Sequence, residues 1–269
     1  TGVGLFEAYL DGVKVGKEYL APYLNDYESG IQVLTFPMEE SLKEAKEYTL
    51  SVMLGKGWYM GTFGLGMSEK NYGSQMAAIG ELYLEYEDGT EGIIATDASW
   101  NYYGSDIEDS GIYFGEILNR QLWDGKENEK KPVKVLEHPE EQTETKNLST
   151  EHLLDRLSLP VIEKETIAVQ DIIYTPAEEI VLDMGQNFAG FVEFKANFPK
   201  GTKVVLDFGE ILQQGNFYNK NYRDAKSQFV YISDGREEVV RPHFTFFGFR
   251  YVRVTGWPGE LDKEDFVGK

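Results

Sequence analysis

Apolar residues recur at every second position along most of this chain, the pattern of a strand with one buried face. In YTLSVML, Tyr48, Leu50, Val52 and Leu54 share one face, while Thr49, Ser51 and Met53 take the other. ELYLEYEDGTE (81–91) alternates likewise and turns at Asp88-Gly89. GLFEAYLDGVKVG (4–16) reads as a strand, an Asp11-Gly12 turn and a second strand, because Asp-Gly accepts the positive φ angles of a tight hairpin. The same alternation returns in TIAVQDIIY, GFVEFKA, TKVVLDFGEIL, SQFVYIS and FRYVRVTG. Short strands separated by turns predict an all-β fold. The expected form is two jelly-roll-like antiparallel β-sandwich domains of the galactose-binding or lectin-like kind.

Helical periodicity is scarce. MEESLKEAKE (38–47) has room for one or two turns, and STEHLLDRL (149–157) has a Ser/Thr cap with Leu153, Leu154 and Leu157 at helical spacing. Between strand-rich regions lies DGKENEKKPVKVLEHPEEQTETKNLST (124–150), polar, charged and proline-bearing. A chain of 269 residues suits two domains. The expected division is 1–125 for the first sandwich, 126–160 for a linker with a short helix, and 161–269 for the second sandwich. The opening Thr-Gly-Val-Gly carries neither an initiator Met nor a signal pattern, which reads as a piece of something longer or a processed product.

The formal charge is −20, from 46 acidic and 26 basic residues. That sign repels nucleic acid and anionic membranes, and it suits a neutral ligand such as a sugar or plain solubility. No apolar run reaches the roughly 18 residues of a membrane span. Cysteine is absent, so thiolate metal sites and disulfides are excluded, while the compartment, cytoplasmic or secreted, stays open. The three histidines are scattered, and no ligand spacing indicates zinc or another metal. No cofactor is expected. A structural Ca²⁺ held by loop oxygens is compatible with such sandwiches, but no spacing indicates one.

VLDMGQNFAGFVEF (181–194) places Asp183, Gln186 and Asn187 among Gly185 and Gly190. The polar side chains suit sugar hydroxyls. They equally suit a turn in which Asp183 and Asn187 accept backbone N–H groups and a glycine takes a special φ. LGKGWYMGTFGLG (54–66) offers Trp58 and Tyr59 either as a stacking platform for sugar rings or as packing that caps the sandwich. Carboxylates such as Glu116, Asp207 and Glu210 are too abundant for any pair to stand out as the two that a glycosidase needs.

Several spaced motifs, in order, resemble the bacterial α-L-rhamnosidases, inverting enzymes of glycoside hydrolase family 78. FEAYLDGVKVGKEYLAPYLNDY resembles the family's opening hairpin and its Leu-Ala-Pro segment, with Asp11 where Asn is usual and Asn25 where Thr is usual. VMLGKGWYMG resembles its Gly-x-Gly-Trp-Tyr loop. SDIEDSGIYFGEILNR is similar to its Tyr-Asp-Gly-Glu segment, with Phe114 replacing Asp. VLDMGQNFAGFVEF is similar to its Gly-Gln-Asn signature, and FTFFGFRYVRVTGWPG to Phe-Thr-Phe-His-Gly-Phe-Arg-Tyr, with Phe247 replacing His.

The resemblance implies the two accessory sandwiches that precede the family's catalytic (α/α)6 barrel, with no catalytic residue in this stretch. The parent enzyme would remove terminal α-L-rhamnose from glycosides. Its expected partners are the barrel of the same polypeptide and rhamnose-containing glycans. VLDMGQNFAGFVEF then reads as a signature hairpin. Trp58, Tyr59, Asp183, Gln186, Asn187, Glu210 and Arg250 are the candidates for carbohydrate contact or domain docking, the docking face being the one that carries MGQNFAG and TFFGFRY. The alternative is an autonomous carbohydrate-binding module.

Overall fold

The computed structural model describes residues 1–38, 47–63, 67–123, 125, 129–136 and 149–269. The expected helix at 38–47 falls almost wholly outside them. The described chain is built of strands joined by short 3-10 turns and one single-turn helix.

The largest sheet has seven strands, in the order Ile107–Gly111, Gly115–Asn119, Gln228–Ile232, Lys203–Gly209, Phe247–Thr255, Ile180–Gly190, Asp171–Tyr174. A four-stranded sheet, ordered Ile167–Ala168, Phe266–Gly268, Val192–Asn197, Glu237–Val240, lies over one of its faces. The period of two builds the core between them. Val204, Leu206 and Phe208 of one strand meet Phe229, Tyr231 and Phe249 of its neighbours, while Val192, Phe194, Ala196, Val240 and Phe266 close the core from the other sheet. Phe194 sits at the centre, its ring within about 6 Å of those of Tyr231, Trp257 and Phe266. Each such side chain contributes about 1.5–3 kcal/mol by leaving water.

One pair in the large sheet is parallel. Gly115–Asn119 runs alongside Gln228–Ile232, with Leu118 opposite Tyr231. The sheet therefore draws strands from both sides of residue 125, where the sequence suggested that one sandwich ends. The physical reason is Leu118, which is fully buried in the core of the C-terminal sandwich.

The N-terminal part carries smaller sheets. Leu5–Leu10 is flanked by Val13–Lys14 and Leu50–Gly55, all antiparallel. Glu81–Glu85 and Glu91–Ala95 form a separate hairpin. The Asp11-Gly12 turn has φ of 47° and 78°, both positive as the hairpin reading requires.

The segment 149–157 is not a helix. Ser149 caps a 3-10 turn at Thr150–His152, its hydroxyl accepting from the Glu151 N–H at 3.2 Å. The chain then extends. Leu153 and Leu154 pair in parallel with Ile31 and Gln32. The N–H groups of Leu157 and Ser158 both donate to Gln32 Oε1 at 2.9 Å, and the Arg156 fork closes on Glu18 at 2.8 Å. The backbone of Ile31 and Gln32 and the side chains of Gln32 and Glu18 thus take the place of the i−4 carbonyls a helix would have used. The later half of the expected linker is a strap bound to the fold.

Candidate functional site

The strand Ile180–Gly190 positions most of the polar residues singled out above. Asp183 pairs with Tyr251, and the next registered pair is Phe188 with Phe249. Met184, Gly185, Gln186 and Asn187 therefore all stand opposite the single residue Arg250, a special bulge of more than the usual one extra residue. This corrects the hairpin reading. Past the bulge the chain crosses at Phe191 from the seven-stranded to the four-stranded sheet, so Ile180–Gly190 and Val192–Asn197 do not pair. The alternation of Phe191, Val192 and Phe194 with polar residues marks two strands, but not which sheet each one joins.

Glycine serves the bulge at two points. Gly185 has φ +82°, a region costly to any residue with a Cβ. Gly190 has ordinary φ, but a Cβ there would stand 2.0 Å from the carbonyl oxygen of Lys269. That close approach lets Phe191 and Lys269 exchange two backbone hydrogen bonds, at 3.1 and 2.9 Å.

Asp183 is committed within the bulge. Its Oδ1 accepts from Arg250 Nε and its Oδ2 from Arg250 Nη2, both at 2.8 Å, and Oδ1 also accepts the Gly185 N–H at 2.7 Å. The Arg250 hydrogen bonds, opposed by desolvation and helped by the Gly185 N–H, hold its carboxyl below the ordinary carboxylate range. Asp183 thus accepts a backbone N–H, as the turn reading has it, and is also ion-paired with Arg250. Gln186 and Asn187 are exposed. Asn187 Nδ2 lies 3.4 Å from Glu210 Oε1, and Asn221 Nδ2 donates to Glu210 Oε2 at 3.0 Å. Glu210 is thus linked to the bulge through Asn187.

Trp58 and Tyr59 lie elsewhere, on the single-turn helix Gly57–Met60. Tyr59 is 0% exposed, its ring edge-on to Tyr27 at 4.9 Å. Trp58 is half-buried and packs against the cluster of Leu5, Leu20, Ile112 and Phe244. Tyr59 has no exposed ring face to offer a sugar, and Trp58 is placed as the packing reading has it. Phe247 and Phe249 are likewise core, not docking face. Phe247, at the position where the family motif has His, is 3% exposed and stacks on Phe208 with centroids 3.8 Å apart. Phe246 alone of the three is exposed. Other exposed large apolar residues are spread along the chain, from Val13 and Tyr83 through Leu157 and Leu159 to Tyr174 and Val239.

Three further polar groups stand out in the structure; of their members the sequence had named only Glu116 and Asp207, without a role. Arg253 bridges Glu179 and Asp207, each at 2.9 Å, and Gln228 Nε2 donates to Asp207 at 2.6 Å. Burial alone would raise the Glu179 carboxyl, but the Phe217 N–H and Arg253 hold it below the ordinary range. Glu116, 2% exposed, accepts the N–H groups of His243 and Phe244 at 3.0 and 2.9 Å. Arg241 lays Nη2 on both oxygens of Glu7 at 3.0 Å. Alternation in Val252-Arg253-Val254 was a usable signal for Arg253, since the valines point into the core. Nothing local marks Glu116 or Glu7, whose partners come from far along the chain. Away from these groups, an open groove of about 420 Å³ lies where Lys14, Lys17 and Tyr19 meet residues 162–166.

The comparisons with known proteins accord with this architecture. Residues 1–165 match the α-L-rhamnosidase N-terminal domain, and residues 173–269 match the bacterial α-L-rhamnosidase concanavalin-like domain. An α-L-rhamnosidase of Streptomyces avermitilis is 29% identical over 275 residues, which cover 100% of this chain and 26% of that protein. One from an Alteromonas species is 28% identical over 269 residues, 96% of this chain and 28% of the relative. The crystal structure of the Streptomyces avermitilis enzyme, complexed with L-rhamnose, superposes with a TM-score of 0.89. That of the Aspergillus terreus enzyme gives 0.90 at 26% identity, covering 100% of this chain and 31% of that one. The chain thus spans about a quarter of the length of the curated relatives it matches. On the two domain matches, which between them leave only a few residues uncovered, the chain belongs to the α-L-rhamnosidase family, of which it carries the N-terminal and concanavalin-like domains.

Proposed function

We propose that this chain is a non-catalytic accessory portion of an α-L-rhamnosidase, supporting the part of the polypeptide that hydrolyses terminal α-L-rhamnose. The observation that carries the reading is the pair of domain matches over residues 1–165 and 173–269, and the state of the chain's paired carboxylates is consistent with it. Glycoside hydrolysis needs one carboxyl poised above its ordinary pKa as general acid and a second across a cleft. Here Glu7, Glu163, Glu179, Asp183 and Asp234 are all held below their ordinary values by hydrogen bonds and neighbouring cations. Asp183, Asp207 and Glu179 are spent in ion pairs with Arg250 and Arg253. The Arg250 and Arg253 pairs tie neighbouring strands of the large sheet together. The test is to delete the matching stretch from the Streptomyces avermitilis α-L-rhamnosidase. The expected result is a lower thermal midpoint and soluble yield. A deletion that left both unchanged would remove the supporting role.

A second reading, an autonomous carbohydrate-binding module, is favoured by the exposed amides of Gln186, Asn187 and Asn221 around Glu210. Isothermal titration with L-rhamnose separates the two. Saturable heat that disappears in Asn187→Ala supports the binding module, and no heat supports the accessory role alone.

A further inference from the structure

Two family domains in one chain are ordinarily expected to move relative to each other, joined by a linker. Here each lends a segment to the other. The ribbon Ile107–Gly111 and Gly115–Asn119 belongs to the stretch matched by the N-terminal domain, yet it completes the large sheet of the concanavalin-like domain. Five registered pairs, Gly115 with Gln228 through Asn119 with Ile232, join it there. Gly115 makes the approach possible: its φ is +104°, and a Cβ would lie 1.7 Å from the Gln228 carbonyl oxygen. At the ribbon's end the Arg120 guanidinium clasps Glu238 at 2.9 and 2.8 Å and Asp106 at 2.5 Å. Tyr231 donates to the same Glu238 at 2.9 Å.

The reverse loan is the segment 241–245 of the concanavalin-like domain. Phe244 is fully buried against Leu5, Leu20 and Ile112 of the N-terminal domain, and a Cβ at Gly55 would meet its ring at 2.3 Å. Arg241 reaches back to buried Glu7 on strand Leu5–Leu10. Glu116 of the ribbon ties the two loans together, because it holds the N–H groups of His243 and Phe244.

We propose that this reciprocal clasp makes the two family domains one cooperative folding body with a fixed relative orientation, and that Glu116 and Arg120 are the residues that couple them. The inference concerns the fold's own mechanics and stands whether or not the accessory role does. A supporting platform that must hold a neighbouring domain in place gains from such rigidity.

Calorimetry on the 269-residue chain, combined with hydrogen exchange in denaturant, tests it. The expected result is a single heat-absorption peak, with the amides of Leu50–Gly55 and of Val192–Asn197 losing protection at the same denaturant concentration. Two resolved peaks, with the two strands opening separately, would overturn the proposal. Gly115→Val is the blunt variant and risks a chain that does not fold. The paired change Glu116→Gln and Arg120→Met leaves both domain cores intact. It is expected to split the single peak into two, the lower displaced by on the order of 5 °C. An unsplit, undisplaced peak in that variant would show that the coupling does not run through the clasp.

Discussion

Asp183 and Arg250 meet across neighbouring strands in a two-point ion pair, both arms at 2.8 Å, at the one place where the strands lose register. The pair braces a bulge that would otherwise leave backbone N–H groups without ladder partners; the Gly185 N–H turns to Asp183 for this reason. Asp183→Asn is expected to lower the thermal midpoint by a few degrees. The pH dependence follows from the direction of the shift. Asp183 is held below its ordinary 3.8, so its contribution is fully present above that pH and is lost as pH falls through the lower folded value. The gap in midpoint between wild type and Asp183→Asn should therefore narrow on acidification below about pH 3.8, and melting curves across that range check it.

The two glycines of the bulged strand should respond differently to valine. At Gly185 the cost is mainly conformational, about 1–2 kcal/mol for a left-handed φ, because the nearest atom belongs to the flexible Gln170 side chain. At Gly190 the obstacle is backbone, the Lys269 carbonyl, so the strand Phe266–Gly268 must shift. Gly190→Val is expected to cost about 3 kcal/mol, the upper end for overpacking. Urea denaturation of both variants ranks them, and the opposite order would contradict the assignment.

The Glu7–Arg241 pair is buried, with Glu7 at 3% exposure. Burial alone would raise the Glu7 carboxyl, but Arg241 and His243, with a hydrogen bond from Tyr9, hold it lower. Arg241→Met strands that carboxylate and should cost about 3–5 kcal/mol. The double change Glu7→Leu with Arg241→Met removes both charges and should cost less than the single one. Equilibrium unfolding of the two variants decides it.

How far the sequence carried this description depends on range. The Asp11-Gly12 and Asp88-Gly89 turns, the inward faces of Val204, Leu206 and Phe208, and the special conformation of Gly185 are local facts, set by φ preference and a period of two. Partner choice is not local. Alternation says that Glu116 and Leu118 lie on an edge-capable strand, but not that this strand runs parallel to Gln228–Ile232, far along the chain. The four-residue bulge looked like a turn because Asp, Gly and Asn serve both, and only the partner strand tells them apart. Tyr59 and Trp58 sit in a glycine-rich loop that left stacking and packing both open; Gly57 and the more distant Gly73 admit side-chain and ring atoms, and a Cβ on Gly73 would touch the Tyr59 hydroxyl at 2.0 Å. Arg253 was legible between its two valines and Glu7 was not, because its cation arrives from the other domain.

The central claim is that the carboxylates of this chain are structural. It is tested most directly by measuring release of the aryl group from an aryl α-L-rhamnoside by the purified 269-residue chain. The account predicts no release above the protein-free blank. Turnover that survives repurification and disappears in Asp183→Asn or Glu210→Gln would contradict it.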